Sequence, residues 1–279
     1  MSNPSTEFLE FPETTKLQAG MTYVVRKDHP VIKDNASIPA DVTIIFMGGI
    51  LTPYTDPQKP VQINYTLKGN KTKIVAPITQ IFAENLTIDG SWEIDRAYPQ
   101  WFGAKSYSDK ATLDSSQAID SSDAINKAIV MKETGEVFLS RGIYRVDKTI
   151  FVKFGIILTG ESGGGYNNEE KNLSTILAAG ATNSYLDVGS TGFKDGYFMM
   201  VNVTSKGGSW NVGWTNPGTV IKNLFFTNEY KEIKRLKGIY SLGNIEINTC
   251  LWKYYQQAVY TGRGYYDQEG KYQSTYSRL

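Results

Sequence analysis

The feature that most limits this chain is the shortness of its apolar runs. From Gly135 onward the sequence alternates strand and turn. Glu136-Val137-Phe138-Leu139 is followed by Ser140-Arg141-Gly142, then by Ile143-Tyr144-Arg145-Val146, Thr149-Ile150-Phe151-Val152 and Gly155-Ile156-Ile157-Leu158-Thr159. Strands this short cannot each bury a core alone. Stacked in register they can share one continuous interior, as the turns of a solenoid do. One internal match supports stacking. Ile221-Lys222-Asn223-Leu224-Phe225-Phe226 and Ile247-Asn248-Thr249-Cys250-Leu251-Trp252 lie 26 residues apart and carry apolar residues at their first, fourth, fifth and sixth positions. That spacing suits one turn of a parallel β-solenoid.

Three segments follow from the pattern. Residues 1–18 are polar, contain Pro4 and Pro12, and read as an N-terminal arm or attachment segment. Residues 19–97 read as a small β-rich module. Its runs Thr22-Tyr23-Val24-Val25, Val42-Thr43-Ile44-Ile45-Phe46, Lys73-Ile74-Val75 and Leu86-Thr87-Ile88 are punctuated by Gly48-Gly49, Lys68-Gly69-Asn70 and Asp89-Gly90, which read as turns. A small solenoid and a sandwich both fit this module. A boundary falls at Tyr98-Pro99-Gln100-Trp101-Phe102-Gly103, and residues 98–279 form the third segment. One convincing helix opens it. Ser121 or Ser122 caps the helix, Asp123 suits the positive end of its dipole, and Ile125, Ala128 and Ile129 share one apolar face. Gly135 is placed to end it in a left-handed conformation.

Composition removes several functions. Lys and Arg number 29 against 28 Asp and Glu, a net charge of +1. No global field therefore points to nucleic acid or an anionic membrane surface. No apolar run approaches the ~18 residues that cross a bilayer. The single cysteine, Cys250, excludes an intrachain disulfide. With one histidine, His29, the described chemistry has no His-rich or Cys-cluster metal site, and no metal or cofactor is expected. His29 itself reads as a loop residue before Pro30. The opening MSNPSTEFLEFPETT has neither a basic n-region nor an apolar h-region, so no secretory signal is visible.

The stretch Trp101-Phe102-Gly103-Ala104-Lys105, a Ser/Asp-rich loop, Asp123-Ala124-Ile125-Asn126-Lys127-Ala128-Ile129, the strand pair around Ser140-Arg141-Gly142, and Leu158-Thr159-Gly160-Glu161-Ser162-Gly163 together resemble the start of the pectate-lyase-like right-handed β-helix superfamily. The resemblance covers residues 98–160 and implies an all-β fold: a right-handed parallel β-helix with an N-terminal capping α-helix, preceded by the small β-rich module. This chain departs from the family pattern where Ser106-Tyr107-Ser108-Asp109 replaces an acidic loop and Ser140 replaces a proline. The passage Ile38 to Gly49, with Ile88-Asp89-Gly90-Ser91-Trp92 leading to Tyr98, is similar to the leading module of β-helix proteins carried by phages of gut Bacteroidales and by their hosts. Tail spikes are often built this way. That likeness implies a virion tail protein assembled in the host cytoplasm, a homotrimer that binds host-surface polysaccharide and meets other tail proteins through residues 1–18. It implies neither nucleic-acid binding nor membrane insertion.

Chemistry on such a scaffold uses side chains that project outward from the strands. A glycosidase needs two carboxylates roughly 5–9.5 Å apart. A lyase needs a base, often with calcium held by carboxylates. No catalytic residue is assigned. The stretch beyond residue 136 allows about six turns at ~25 residues each, and depolymerisation is expected beyond Leu279 or in an intersubunit groove. Three residues are candidates for substrate binding. Strand alternation buries Ile245 and Ile247 and presents Glu246 outward, though a merely solvated carboxylate fits as well. Tyr254 and Tyr255 lead a tyrosine-rich C-terminal stretch suited to stacking on sugars or to packing on a neighbouring subunit. Trp252, matching Phe226, reads as core. The alternatives are a bacterial polysaccharide lyase or glycoside hydrolase acting alone, and a non-catalytic structural tail adaptor.

Overall fold

The computed structural model describes residues 8–31, 36–53, 65–107, 118–161, 174–178, 197–202, 218–227, 236–242, 245–253, 257–266 and 272–277. The chain is mostly β, with parallel sheets and one α-helix among the described residues. The first part holds β1 (Leu9–Glu10), β2 (Thr22–Val25), β3 (His29–Val31), β4 (Ala36–Ser37), β5 (Thr43–Phe46), β6 (Leu51–Pro53), β7 (Tyr65–Val75) and β8 (Leu86–Glu93). One sheet runs β1-β2-β5-β7-β4, with β8 also on β7, and β3 pairs with β6. His29 thus lies in a strand rather than a loop, its backbone opposite Leu51. The polar N-terminal segment is held from residue 9 onward: β1 adds to the sheet, and Phe11 and Leu17 enter the core.

Two expected turns are strand interior. Lys68-Gly69-Asn70 lies within β7 and Asp89-Gly90 within β8, where Gly69 and Gly90 face each other in register. Glycine is required there by contact rather than by chain reversal. A Cβ on Gly90 would sit 2.2 Å from the Gly69 carbonyl oxygen, and one on Gly69 would sit 2.6 Å from the Trp92 ring. The ladder shifts register between Gly69 and Thr72, and Gly90 has φ +81°. This is a bulge at a point of close backbone approach.

Next come β9 (Arg96–Ala97), a 3₁₀ turn over Pro99–Phe102 and α1 (Ser122–Met131). The turn ends at Gly103 with φ +91°, and its four residues are buried. Pro99 fits the first helical position, and Gly103 supplies the left-handed stop. Beyond α1 lie β10 (Gly135–Leu139), β11 (Gly142–Val146), β12 (Ile150–Val152), β13 (Ile156–Gly160), β14 (Ser174–Ala178), β15 (Tyr197–Val201), β16 (Thr219–Lys222), β17 (Phe225–Thr227), β18 (Lys237–Leu242), β19 (Ile245–Asn248), β20 (Leu251–Lys253), β21 (Gln257–Tyr266) and β22 (Tyr272–Ser277).

These strands form three sheets. The first is β9-β10-β13-β16-β19, the second β11-β14-β17-β20, and the third β12-β15-β18-β21-β22. Every pairing is parallel except β21 with β22. The chain visits first, second and third sheet in rotation, so each round lays one strand on each sheet. The internal match is a structural register: Ile221 lies opposite Ile247 and Phe226 opposite Trp252. The Phe226 and Trp252 rings stack at 4.1 Å. The described strands complete four rounds rather than the expected six. The reason is uneven spacing. The first round turns through short connections at 140–141, 147–149 and 153–155, whereas the second is interrupted at 161–173, 179–196 and 202–218.

Val137, Leu158 and Ile221 line the interior of the first sheet and are fully buried. They belong to one hydrophobic cluster that also holds Phe46 and Leu67 of the N-terminal sheet and Phe82 between β7 and β8. Helix α1 joins the two. It packs on β8, the 3₁₀ turn and β12, and buries Ile125, Ala128 and Ile129. Ser121 is its N-cap by position, accepting from the Ile125 amide at 2.9 Å through its carbonyl, without a side-chain cap. Gly135 does not end the helix. Lys132 leaves it in extended conformation, and Gly135, φ +105°, opens β10.

Candidate functional site

Three places carry exposed or polar chemistry. The first is the outer face of the first sheet. Alternation along each strand sends every second side chain away from the interior. One outward column runs Glu136, Ile157, Val220, Glu246, and the other Phe138, Thr159, Lys222, Asn248, in which Thr159 is buried and interrupts the exposed face at β13. At one end Arg96 on β9 pairs with Glu136 at 2.5 Å and lies 5.1 Å over the Phe138 ring. Tyr98 meets Phe138 edge-on at 6.0 Å. At the other end Glu246 is exposed between the half-buried Ile245 and Ile247, and its carboxylate accepts from the Asn248 side-chain amide. The sequence candidate Glu246 therefore ends a five-strand strip. Its partners Phe138, Lys222 and Asn248 were not singled out in the sequence, because the pairing that unites them is invisible before register is known.

The strip does not hold a glycosidase pair. Glu136 and Glu246 share a column but stand three strand steps apart, about 14 Å at the usual interstrand spacing. That is well beyond the roughly 5–9.5 Å that acid and base or nucleophile require. Glu136 is also neutralised by Arg96. The strip sets hydrogen-bonding side chains beside the half-buried apolar Phe138, Ile157 and Val220.

The second place is a groove of about 350 Å³ between α1 and β8, lined by Glu84, Phe102, Asp120, Asp123, Lys127 and Val130 among others. Its polar groups are engaged within the chain. Asp120 accepts from the Ser122 amide at 2.9 Å, the Ser122 hydroxyl and the Asp147 amide. Asp123 pairs with Lys148 at 2.6 Å, which holds the Lys148 ammonium above its ordinary pKa. Lys127 donates to the Glu84 carbonyl, and burial pulls its pKa down against the attraction of Asp123 and Glu84. Arg145 binds Asp147 at 2.7 Å. These contacts fasten the helix N-terminus to the first round. Among the described residues no cluster of His, Cys, Asp and Glu is arranged to hold a metal.

The third place is the far face of the third sheet, where Phe151, Tyr197, Met200 and Tyr240 form a small separate cluster. The Tyr197 and Tyr240 rings lie 5.1 Å apart and Lys237 sits 4.6 Å over Tyr197. Tyr197 and Met200 are already buried. Tyr260 occupies the next register position after Tyr240. The candidates Tyr254 and Tyr255 lie outside the described residues. Trp252 is packed against the core, as its match to Phe226 indicated.

No protein-family model, curated protein or solved structure matches this chain. Among the described residues no helix is long and apolar enough to cross a membrane.

Proposed function

We propose that this chain is a right-handed parallel β-helix of the tail-spike kind, capped in front by α1, and that it attaches a virion to host-surface polysaccharide as a homotrimer. The observation that carries the binding reading is the outward strip on the first sheet. It places one strand under each step of about 4.8 Å, close to the length of one sugar unit in an extended chain. Phe138, Ile157 and Val220 offer surface for sugar C–H faces, and Lys222, Glu246 and Asn248 offer hydrogen bonds to hydroxyls. Rotation of the chain through three parallel sheets and the helix at the first round support the fold reading. Carboxylate spacing on this strip favours retention over cleavage, so depolymerisation, where it occurs, belongs to another surface.

The test is retention of host-surface polysaccharide on immobilised protein, with reducing ends and unsaturated sugars assayed in parallel. Retention without release is the expected result, and Phe138→Ala and Glu246→Ala should each weaken it. Rapid release of fragments would replace this reading with the lyase or hydrolase. Neither retention nor release would leave the structural adaptor. A monomer by sedimentation would remove the trimer.

A further inference from the structure

We draw no further inference here: the strongest candidate, the groove between α1 and β8, presents Asp120, Asp123 and Lys127 only as groups already bound within the chain, and nothing in the structure shows what covers its apolar floor of Ile88, Phe102 and Ala124.

Discussion

The first and last rounds of the three-sheet stack are built from the same pattern and finished differently. In the first round Val137, Leu139, Tyr144, Val146, Ile150 and Val152 are fully buried. In the last, Ile245, Ile247, Trp252 and Val259 are only partly buried, and Leu251 is 49% exposed. The corners differ too. Around the first round the positive-φ positions are Gly135, Gly142 and Gly155, while later corners place Asn223 and Thr249 there. A stacked round is stabilised by the layers above and below it. The first round has α1 and β9 on one side and the second round on the other. Among the described residues no strand pairs with the free sides of β19 and β20. Stability should therefore fall along the axis, with the most tightly packed round next to the helix.

The sharpest way to break that comparison is to truncate the same interior column at two heights. Leu158 and Ile247 stand two steps apart in it. Leu158→Ala should cost about 3 kcal/mol, because it opens a cavity in a closed layer. Ile247→Ala should cost less than about 1.5 kcal/mol, since that side chain is already half in solvent. Urea unfolding midpoints measure both. Equal losses would mean that the last round is as well packed as the second, to which Leu158 belongs.

A smaller effect tests how the first round is held to the N-terminal sheet. Tyr144 is buried, with its hydroxyl donating to the Ser140 carbonyl at 2.9 Å and accepting from the Gln100 amide at 2.5 Å. Gln100 also donates to the Ser140 hydroxyl at 2.7 Å. Ser140 thus belongs to a polar junction between the 3₁₀ turn and β11. Tyr144→Phe should cost about 1–2 kcal/mol by leaving buried groups short of a partner. An unchanged denaturation midpoint would show that the junction contributes nothing net.

How much of this was legible beforehand differs by region for a physical reason. The helix and the strands from Glu136 to Thr159 were readable because local periodicity and burial agree there. The glycines of β7 and β8 read as turns in sequence because close approach of two backbones and a turn leave the same residue behind. The match of Ile221 and Phe226 with Ile247 and Trp252 was readable because the steps from β16 to β19 and from β17 to β20 are both 26 residues. The second round, with its long connections, hides that period. The strip on the first sheet was legible only at Glu246, where alternation within one strand exposes the side chain. Its other members come from strands separated by up to 63 residues, as in Ile157 opposite Val220. Sequence carries no signal for that neighbourhood.

Corner chemistry predicts a gain rather than a loss. Thr249 adopts φ +52°, a conformation that costs a β-branched residue more than it costs asparagine or glycine. Thr249→Asn should raise stability by up to about 1 kcal/mol. Gly142→Ala should lower it, since φ +130° and the Ser106 side chain 2.6 Å from the new Cβ both oppose the methyl group. A thermal midpoint that falls with Thr249→Asn would mean that the threonine is not strained, and the contrast between first-round and later corners would lose its energetic meaning.

The smallest effect concerns alkaline pH and the ties of α1. Lys153 donates to the Val130 carbonyl at 3.1 Å, and burial lowers its pKa while Glu133 partly opposes the shift. Burial likewise lowers Lys132, which donates to the Ile94 carbonyl. A lysine whose folded pKa lies below its unfolded value binds fewer protons when folded. Across the window between those two values, stability then rises with pH. Tyr144 acts in the opposite sense. Burial raises its pKa, so the unfolded chain loses that proton first and stability falls above about pH 10. Comparing the parent with Lys153→Met isolates one of these terms, because the tyrosine contribution is common to both. The parent should gain stability relative to the variant as pH rises from about 8 to 10.5, whatever the absolute trend. A parent that loses ground over that interval would show that the ammonium is well solvated or paired in the folded chain, and that the carbonyl at the end of α1 is not held by a desolvated lysine.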